Sequence, residues 1–338
     1  MAGKRKTVYN SNLTNDAEWK EVYRGNQKLT RDFINYCISM DRSPATLNQY
    51  EQQLKVFFVW NLRENYNVSF IQLKKRDFVS FFGYGRNELG WSSSRLASFR
   101  YVLSSLSNYI ERILDDEYPN FKNLVKVLEP ISVEPIREKT VLNADDIERI
   151  MKELSEKGEY QEACWMSLLF SSGMRKAEVA QMKVEYFTKN NLIFDGLMYR
   201  TPKIRTKGKG SRGKQVPRYI FAYTFDPYFE KWMEEREKLG IKCEYLFVVK
   251  RGGEYVPATI PTFNSWAKRI SEKFDIDFYN HACRHAWCTN LKKRGYPQSV
   301  IQKLQNWATA DMVSIYDDTT DEEELGDFFS KMSSEDKE

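Results

Sequence analysis

His281 and His285, the only two histidines of the chain, sit four residues apart in His281-Ala282-Cys283-Arg284-His285. On a helix, positions 281, 284 and 285 share one face. Two imidazoles and a guanidinium grouped this way can cradle a phosphate through charge-assisted hydrogen bonds. Zinc is the rival reading, because two histidines at i and i+4 suit that ion. Arg284 argues against it by placing a fixed positive charge between the rings. No Glu follows His281 as in His-Glu-x-x-His, and Cys283 points away from the pair.

Other residues would complete a phosphoryl-transfer site. Arg175 follows Ser171-Ser172-Gly173-Met174 at a break that opens a helix, where exposed amides and a guanidinium suit an anion. Glu178 lies three residues on and could hold that arginine; a plain Arg–Glu surface pair is the alternative. Lys209 sits in Lys207-Gly208-Lys209-Gly210-Ser211-Arg212-Gly213-Lys214. From such a turn a lysine can reach a phosphate or protonate a leaving oxygen. Lys207, Arg212 and their neighbours could equally touch only DNA backbone. Trp307 and Tyr316, each taken alone, default to packing.

These side chains need a frame, and the hydrophobic periodicity supplies one. Ser43 can cap a helix with Pro44 at its first position. Leu47, Tyr50, Leu54, Phe57, Phe58 and Leu62 then mark a buried face. A shorter helix is expected over 77–82, and a long one runs through Leu96, Phe99, Leu103, Leu106, Ile110 and Ile113. Asn143 caps a further helix to about 154, and a buried one ends near Gly173. Short strands are expected over 191–194, 198–204, 215–221 and 246–249, with Gly208, Gly210 and Gly213 in one turn. Helices return from Thr262, including one that starts near His281 and runs to about Lys293. The segment 128–140, with Pro130 and Pro135, reads as a linker. The expected fold is mainly α with a small antiparallel β-sheet. Its parts would be a flexible polar arm over 1–27, a helical domain over 28–127, the linker, a second domain over 141–318 and an acidic tail over 319–338.

The net charge of +5 hides an asymmetry. Residues 317–338 hold ten acidic and two basic side chains, a charge of −8, so the rest of the chain carries +13. A basic body with an acidic tail suggests a polyanion partner such as nucleic acid. No apolar run is long enough to span a membrane, and the N-terminus does not read as a signal peptide. Five scattered cysteines fit reduced thiols in a cytoplasm.

Together the motifs resemble the tyrosine recombinase (phage integrase) family in order, type and spacing. Ser172-Gly173-Met174-Arg175-Lys176-Ala177-Glu178 is similar to the Thr-Gly-x-Arg-x-x-Glu box. Gly208-Lys209-Gly210 before Val216-Pro217 is similar to the β-hairpin lysine motif, and His281 to Ala286 to His-x-x-Arg-His-Ser/Ala. The stretch Val300 to Trp307 resembles Ile-Gln-x-x-Leu-Gly-His, with Asn306 for the glycine and Trp307 for the histidine. Tyr316 falls at the nucleophile's spacing.

The resemblance implies an N-terminal helical core-binding domain and a mixed α/β catalytic domain, clamped on double-stranded DNA. By it, Arg175, Lys209, His281, Arg284, Trp307 and the nucleophile Tyr316 are catalytic, with Glu178 and His285 in support. His281 is the expected proton-handling histidine and His285 the holding one. Arg42, Arg95 and Arg100, with Lys207 and Arg212, are candidate DNA contacts. Tyr316 would form a 3′-phosphotyrosine, and strand exchange would pass through a Holliday junction. No metal, ATP or other cofactor is implied.

The implied partners are specific recombination sites, a homo-tetramer and accessory DNA-bending or directionality factors, in a cytoplasm. The extra arm and tail favour the integrase of a mobile element. A type IB topoisomerase and a catalytically decayed DNA-binding regulator are the rival readings. In the tail, Thr320 and Glu323 fit a capping box. Leu325, Phe328, Phe329 and Met332 form an apolar stripe that would dock on a neighbouring protomer or on its own domain.

Overall fold

A computed structural model describes residues 13–132, 142–208, 210, 213–320, 322–323 and 325–326. The chain divides into two compact units, Met1–Glu138 with Gly208–Gly213, and Lys139–Lys207 with Lys214–Glu338.

The first unit is helical: α1 Asp16–Glu21, α2 Arg24–Ser39, α3 Pro44–Glu64, α4 Lys75–Asn87, α5 Ser93–Ile113 and α6 Leu124–Val127. Ser43 caps α3 by accepting from the Thr46 amide, with Pro44 at the first position, as the sequence predicts. The described part of the segment expected as a flexible arm carries regular structure, α1 and the start of α2. Asn15 accepts from the Glu18 amide to start α1, and Val22 is buried. The remainder of the arm lies outside the described residues.

The helix expected over 77–82 extends at both ends through Gly83 and Gly85. A Cβ on Gly85 would lie 2.4 Å from the Trp91 ring, so packing rather than propensity keeps glycine there. Trp91 stacks on Phe99 at 4.5 Å, and Phe57, Phe70, Phe78 and Phe81 complete an aromatic core. Each such buried ring contributes roughly 1.5–3 kcal/mol relative to exposure.

The second unit is built around α8 (Tyr160–Ser172), which is buried on every side from Ala163 onward. A helix apolar all round must be covered all round. Its covers include α7 (Ala144–Glu156), capped by Asn143 as expected, α10 (Ala222–Lys238) and α12 (Ala282–Lys293). The remaining helices are α9 (Lys176–Val179), α11 (Ile260–Phe274), α13 (Gln298–Gln305) and α14 (Asp311–Tyr316).

The strands β1 (Leu192–Ile193), β2 (Met198–Arg200) and β5 (Tyr219–Phe221) form an antiparallel sheet in the order β1-β2-β5. The strands β3 (Ile204–Thr206) and β4 (Lys214–Val216) form a separate antiparallel pair. The long strands expected over 198–204 and 215–221 are therefore each broken in two. Pro202 and Pro217 lie at the breaks, where proline removes a ladder donor. Thr201 and Arg218 bridge the gap: the Thr201 amide donates to the Arg218 carbonyl at 3.0 Å, and the Arg218 amide to Thr201 Oγ1 at 2.9 Å. The strand expected over 246–249 is β6 (Val248–Arg251), paired with an unforeseen β7 (Glu254–Pro257). Gly252 and Gly253, at φ of +57° and +88°, make that turn.

Gly173 ends α8 in the left-handed region at φ +59°. A Cβ there would lie 2.7 Å from Gln305 Nε2 and 2.9 Å from the Trp287 ring. Gly173→Ala is expected to cost more than the roughly 1–2 kcal/mol of the backbone conformation alone. Thermal unfolding checks this; an unchanged midpoint would contradict the close fit.

Candidate active site

Four segments converge where α8 ends. The break at Gly173 turns the chain so that Arg175 becomes the N-cap of α9. Its amide donates to Glu178 Oε2 at 3.0 Å, and its Nη1 lies 3.3 Å from Oε1. Glu178 is 1% exposed and Arg175 is 24% exposed, so this is a buried carboxylate holding a guanidinium that still reaches solvent. The surface-pair alternative is thereby excluded.

His281 is the N-cap of α12 rather than its first turn, while Arg284 and His285 lie inside the helix. Arg284 is fully buried, and its Nη1 donates to the Gly173 carbonyl at 2.5 Å. Its guanidinium carbon lies 5.0 Å from the Trp307 ring centre and 4.8 Å from that of Tyr316. Burial, then the charge of Arg175, pushes its pKa down to about 10, which leaves it cationic at neutral pH. Arg284 Nε and Nη2 and Trp307 Nε1 are buried donors without a hydrogen-bond partner among the described residues. Buried donors demand an acceptor, and here they surround the tyrosine.

Asn306 occupies the left-handed region at φ +53° where the motif usually has glycine. Asparagine is one of the few other residues that accepts this conformation, so α13 still ends and Trp307 still turns inward. Trp307 stacks on Tyr316 at 5.1 Å with the planes 6° apart. Tyr316, the last residue of α14, is 7% exposed. Its hydroxyl lies 3.4 Å from His281 Nε2. That is longer than an ordinary hydrogen bond, and such contacts commonly tighten once substrate binds. His285 turns its Nδ1 to Asp318 at 3.1 Å, with its ring 5.0 Å from that of Tyr316. The two imidazoles thus serve different partners.

Burial, followed by the charges of Arg284 and Arg175, lowers the His281 pKa from 6.5 to about 4. A depressed folded-state pKa means the unfolded chain binds the proton more readily. The stabilisation is complete above pH about 6.5 and lost as pH falls toward about 4. His281→Asn is expected to flatten this part of the stability–pH curve, measured by urea unfolding; an unaltered slope would contradict it.

The remaining expected residues divide into those the structure describes and those it does not. Lys209 and Arg212 lie outside the described residues. Lys207 and Arg42 are exposed. Arg95 is half-buried, with its guanidinium 4.8 Å over the Trp91 ring, and Arg100 Nη2 donates to the Leu128 carbonyl at 2.7 Å. The Thr320–Glu323 capping box is present with both bonds at 3.1 Å. Lys292 pairs with Asp317 and Lys293 with Glu323, tying the base of the tail to α12. Leu325 is exposed, while Phe328, Phe329 and Met332 lie outside the described residues. Among the described residues no group of three or more His, Cys, Asp or Glu is placed to hold a metal, and no helix is long and apolar enough to cross a membrane.

Three contributors escaped the sequence reading. Arg218, 2% exposed, donates to Glu178 Oε1 at 2.6 Å and to the Gln305 carbonyl at 2.9 Å. Gln305 Nε2 donates to the Ser172 carbonyl at 2.5 Å. Asp318 orients His285. A lone arginine inside the apolar run from Val216 to Phe221 was the available signal for Arg218. Asp318 is indistinguishable in sequence from its acidic neighbours.

Residues 140–323 match the phage integrase family. The SPbeta prophage-derived recombinase-like protein YomM of Bacillus subtilis (strain 168) is 30% identical over 243 residues, spanning 71% of this chain and 70% of YomM. The fold is shared with XerH site-specific recombinase bound to palindromic difH substrate, at TM-score 0.61 and 18% identity, over 96% of this chain and 91% of that one. It is shared as well with the Tn1549 transposon integrase in complex with circular intermediate DNA, at TM-score 0.63 and 16% identity, over 89% and 98%. The family match over more than half the chain, joined to a buried Arg284 beside a tyrosine stacked on Trp307, fixes the assignment. The chain belongs to the phage integrase family, the tyrosine recombinases that cleave and rejoin DNA.

Proposed function

We propose that this protein is the site-specific recombinase of a mobile element, integrating or excising DNA through a covalent tyrosine intermediate. One observation carries the reading: the Tyr316 hydroxyl lies 3.4 Å from His281 Nε2, on a ring stacked against Trp307 and beside buried Arg284. The prophage origin of YomM and the transposon origin of the Tn1549 integrase support the mobile-element setting.

A phosphodiester repels nucleophiles because it is charged. Arg175, Arg284 and the Trp307 indole N–H bind its non-bridging oxygens and the charge that develops at phosphorus. The Tyr316 oxygen attacks phosphorus, forming the Tyr–O–P bond as the P–O5′ bond breaks, and neutral His281 accepts the tyrosine proton. Lys209 gives a proton to the departing 5′ oxygen. His285, held by Asp318, packs against the tyrosine and keeps it in place. The phosphotyrosine conserves the bond energy, so a second strand's 5′-hydroxyl can reverse the step without ATP. Four protomers pair two sites, in a cytoplasm, with accessory proteins setting direction.

DNA from the flanks of its own gene, nicked at successive positions, provides the test. An adduct resistant to denaturant and formed in EDTA is expected. Relaxation of plasmids lacking those flanks, with no site-dependent adduct, would favour a topoisomerase instead. We assign the apolar stripe of the tail to a neighbouring protomer, because such a stripe at helical spacing needs a partner surface. Truncation after Gly326 is expected to abolish tetramers on DNA while sparing single-site binding, read by native gel. Intact tetramers would contradict that assignment.

A further inference from the structure

Arg218 belongs to none of the motifs that define the site, yet it touches two of them. Its Nη2 lies 2.6 Å from Glu178 Oε1, while Arg175 Nη1 lies 3.3 Å from the same oxygen. Its Nη1 donates to the Gln305 carbonyl at 2.9 Å, one residue before the turn that aims Trp307. Gln305 in turn holds the Ser172 carbonyl, next to the Gly173 carbonyl that Arg284 holds. One guanidinium therefore links the first arginine box, the tryptophan turn and, through the end of α8, the second arginine.

The charges make this more than a brace. Glu178 and Arg218 are both almost fully buried, whereas Arg175 remains a quarter exposed. A buried carboxylate takes a cationic partner wherever it can, since an unpaired buried charge is costly. Were Arg175 the only cation in reach, Glu178 would neutralise it and draw it off the phosphate. With the shorter contact taken by Arg218, less of Arg175's field is cancelled by Glu178 and more is available to the substrate.

We propose that Arg218 is a positioning residue that acts as the principal counter-ion of Glu178 and so leaves the charge of Arg175 uncompensated and its guanidinium turned toward the scissile phosphate. The inference rests on the phosphoryl-transfer reading above. It predicts a defect that depends on the charge of the substrate, because a site deprived of positive potential loses most on an anionic phosphate and least on a neutral one.

The test is single-turnover cleavage of nicked duplexes carrying either the natural phosphodiester or a methylphosphonate, which lacks the negative charge, at the scissile position. For Arg218→Met we expect a loss of about 10- to 100-fold on the phosphodiester. DNA affinity and the methylphosphonate rate should stay within about threefold of wild type. Arg218→Lys retains the charge without the planar fork and should lose no more than about tenfold on the phosphodiester. If Arg218→Met does not fold, the lysine variant still decides: a loss as great on the neutral as on the charged substrate overturns the inference. Equal losses on both substrates for Arg218→Met, or wild-type rates, overturn it too. Absence of any adduct with wild-type protein on either duplex would remove the phosphoryl-transfer reading itself, a result distinct from failure of the variants alone.

Discussion

Tyr316→Phe is expected to abolish the covalent protein–DNA adduct while leaving DNA binding within about threefold of wild type, because binding is carried by the basic body and not by this hydroxyl. The substitution removes one oxygen, whose recorded contact is His281 Nε2 at 3.4 Å. The ring, its stacking on Trp307 and its place over Arg284 all remain. Loss of so long a hydrogen bond costs at most about 1 kcal/mol, so the variant should melt close to wild type. Losing the nucleophile leaves no bond to be made, so the adduct yield should fall below detection rather than merely decline. Gel-shift and denaturing-gel assays on the same nicked duplex separate the two effects. Residual adduct at a substantial fraction of wild type would place the nucleophile elsewhere.

Arg284→Lys should produce the second largest change. Arg284 is buried among Gly173, Trp307 and Tyr316, and two of its donors have no partner among the described residues. A planar fork can hold the Gly173 carbonyl through one arm and offer the others to a phosphate; a lysine ammonium cannot do both. Removing one preorganised donor from a developing oxyanion costs about 10²- to 10³-fold in rate. Loss of the Gly173 contact should add a stability decrement of about 1–3 kcal/mol. Single-turnover cleavage and urea unfolding measure the two separately. A variant that binds, folds and cleaves within tenfold of wild type would show that Arg284 only supports the fold.

The chemistry was more legible in the sequence than the scaffold that aims it. Arg175, Arg284, Trp307 and Tyr316 are picked out together by the family resemblance, although Trp307 and Tyr316 taken alone default to packing, and the structure brings all four together. Long periodic helices such as α3 and α5 were equally clear, because a buried stripe repeats along them. The strands were less so: Pro202 and Pro217 each divide what reads as one apolar run, and β7 has little in sequence to distinguish it from a loop. Least legible were the residues that act through others. Arg218 reaches Glu178 from forty residues away, and Gln305 reaches Ser172 across 133. No local pattern encodes such pairings, since they exist only once α8, β5 and α13 are packed. Asn306, a departure from the motif visible in the sequence, is accommodated because asparagine accepts the backbone conformation glycine would have taken.

The most direct test of the account is to locate the covalent bond. Wild-type protein is incubated in EDTA with a suicide duplex from its gene's flanks, the adduct is digested with protease and nuclease, and the nucleotide-bearing peptide is sequenced by mass spectrometry. A 3′-nucleotide linked to Tyr316 is the predicted result. A nucleotide on any other residue, or no linked peptide from DNA that the protein demonstrably recombines, would contradict it.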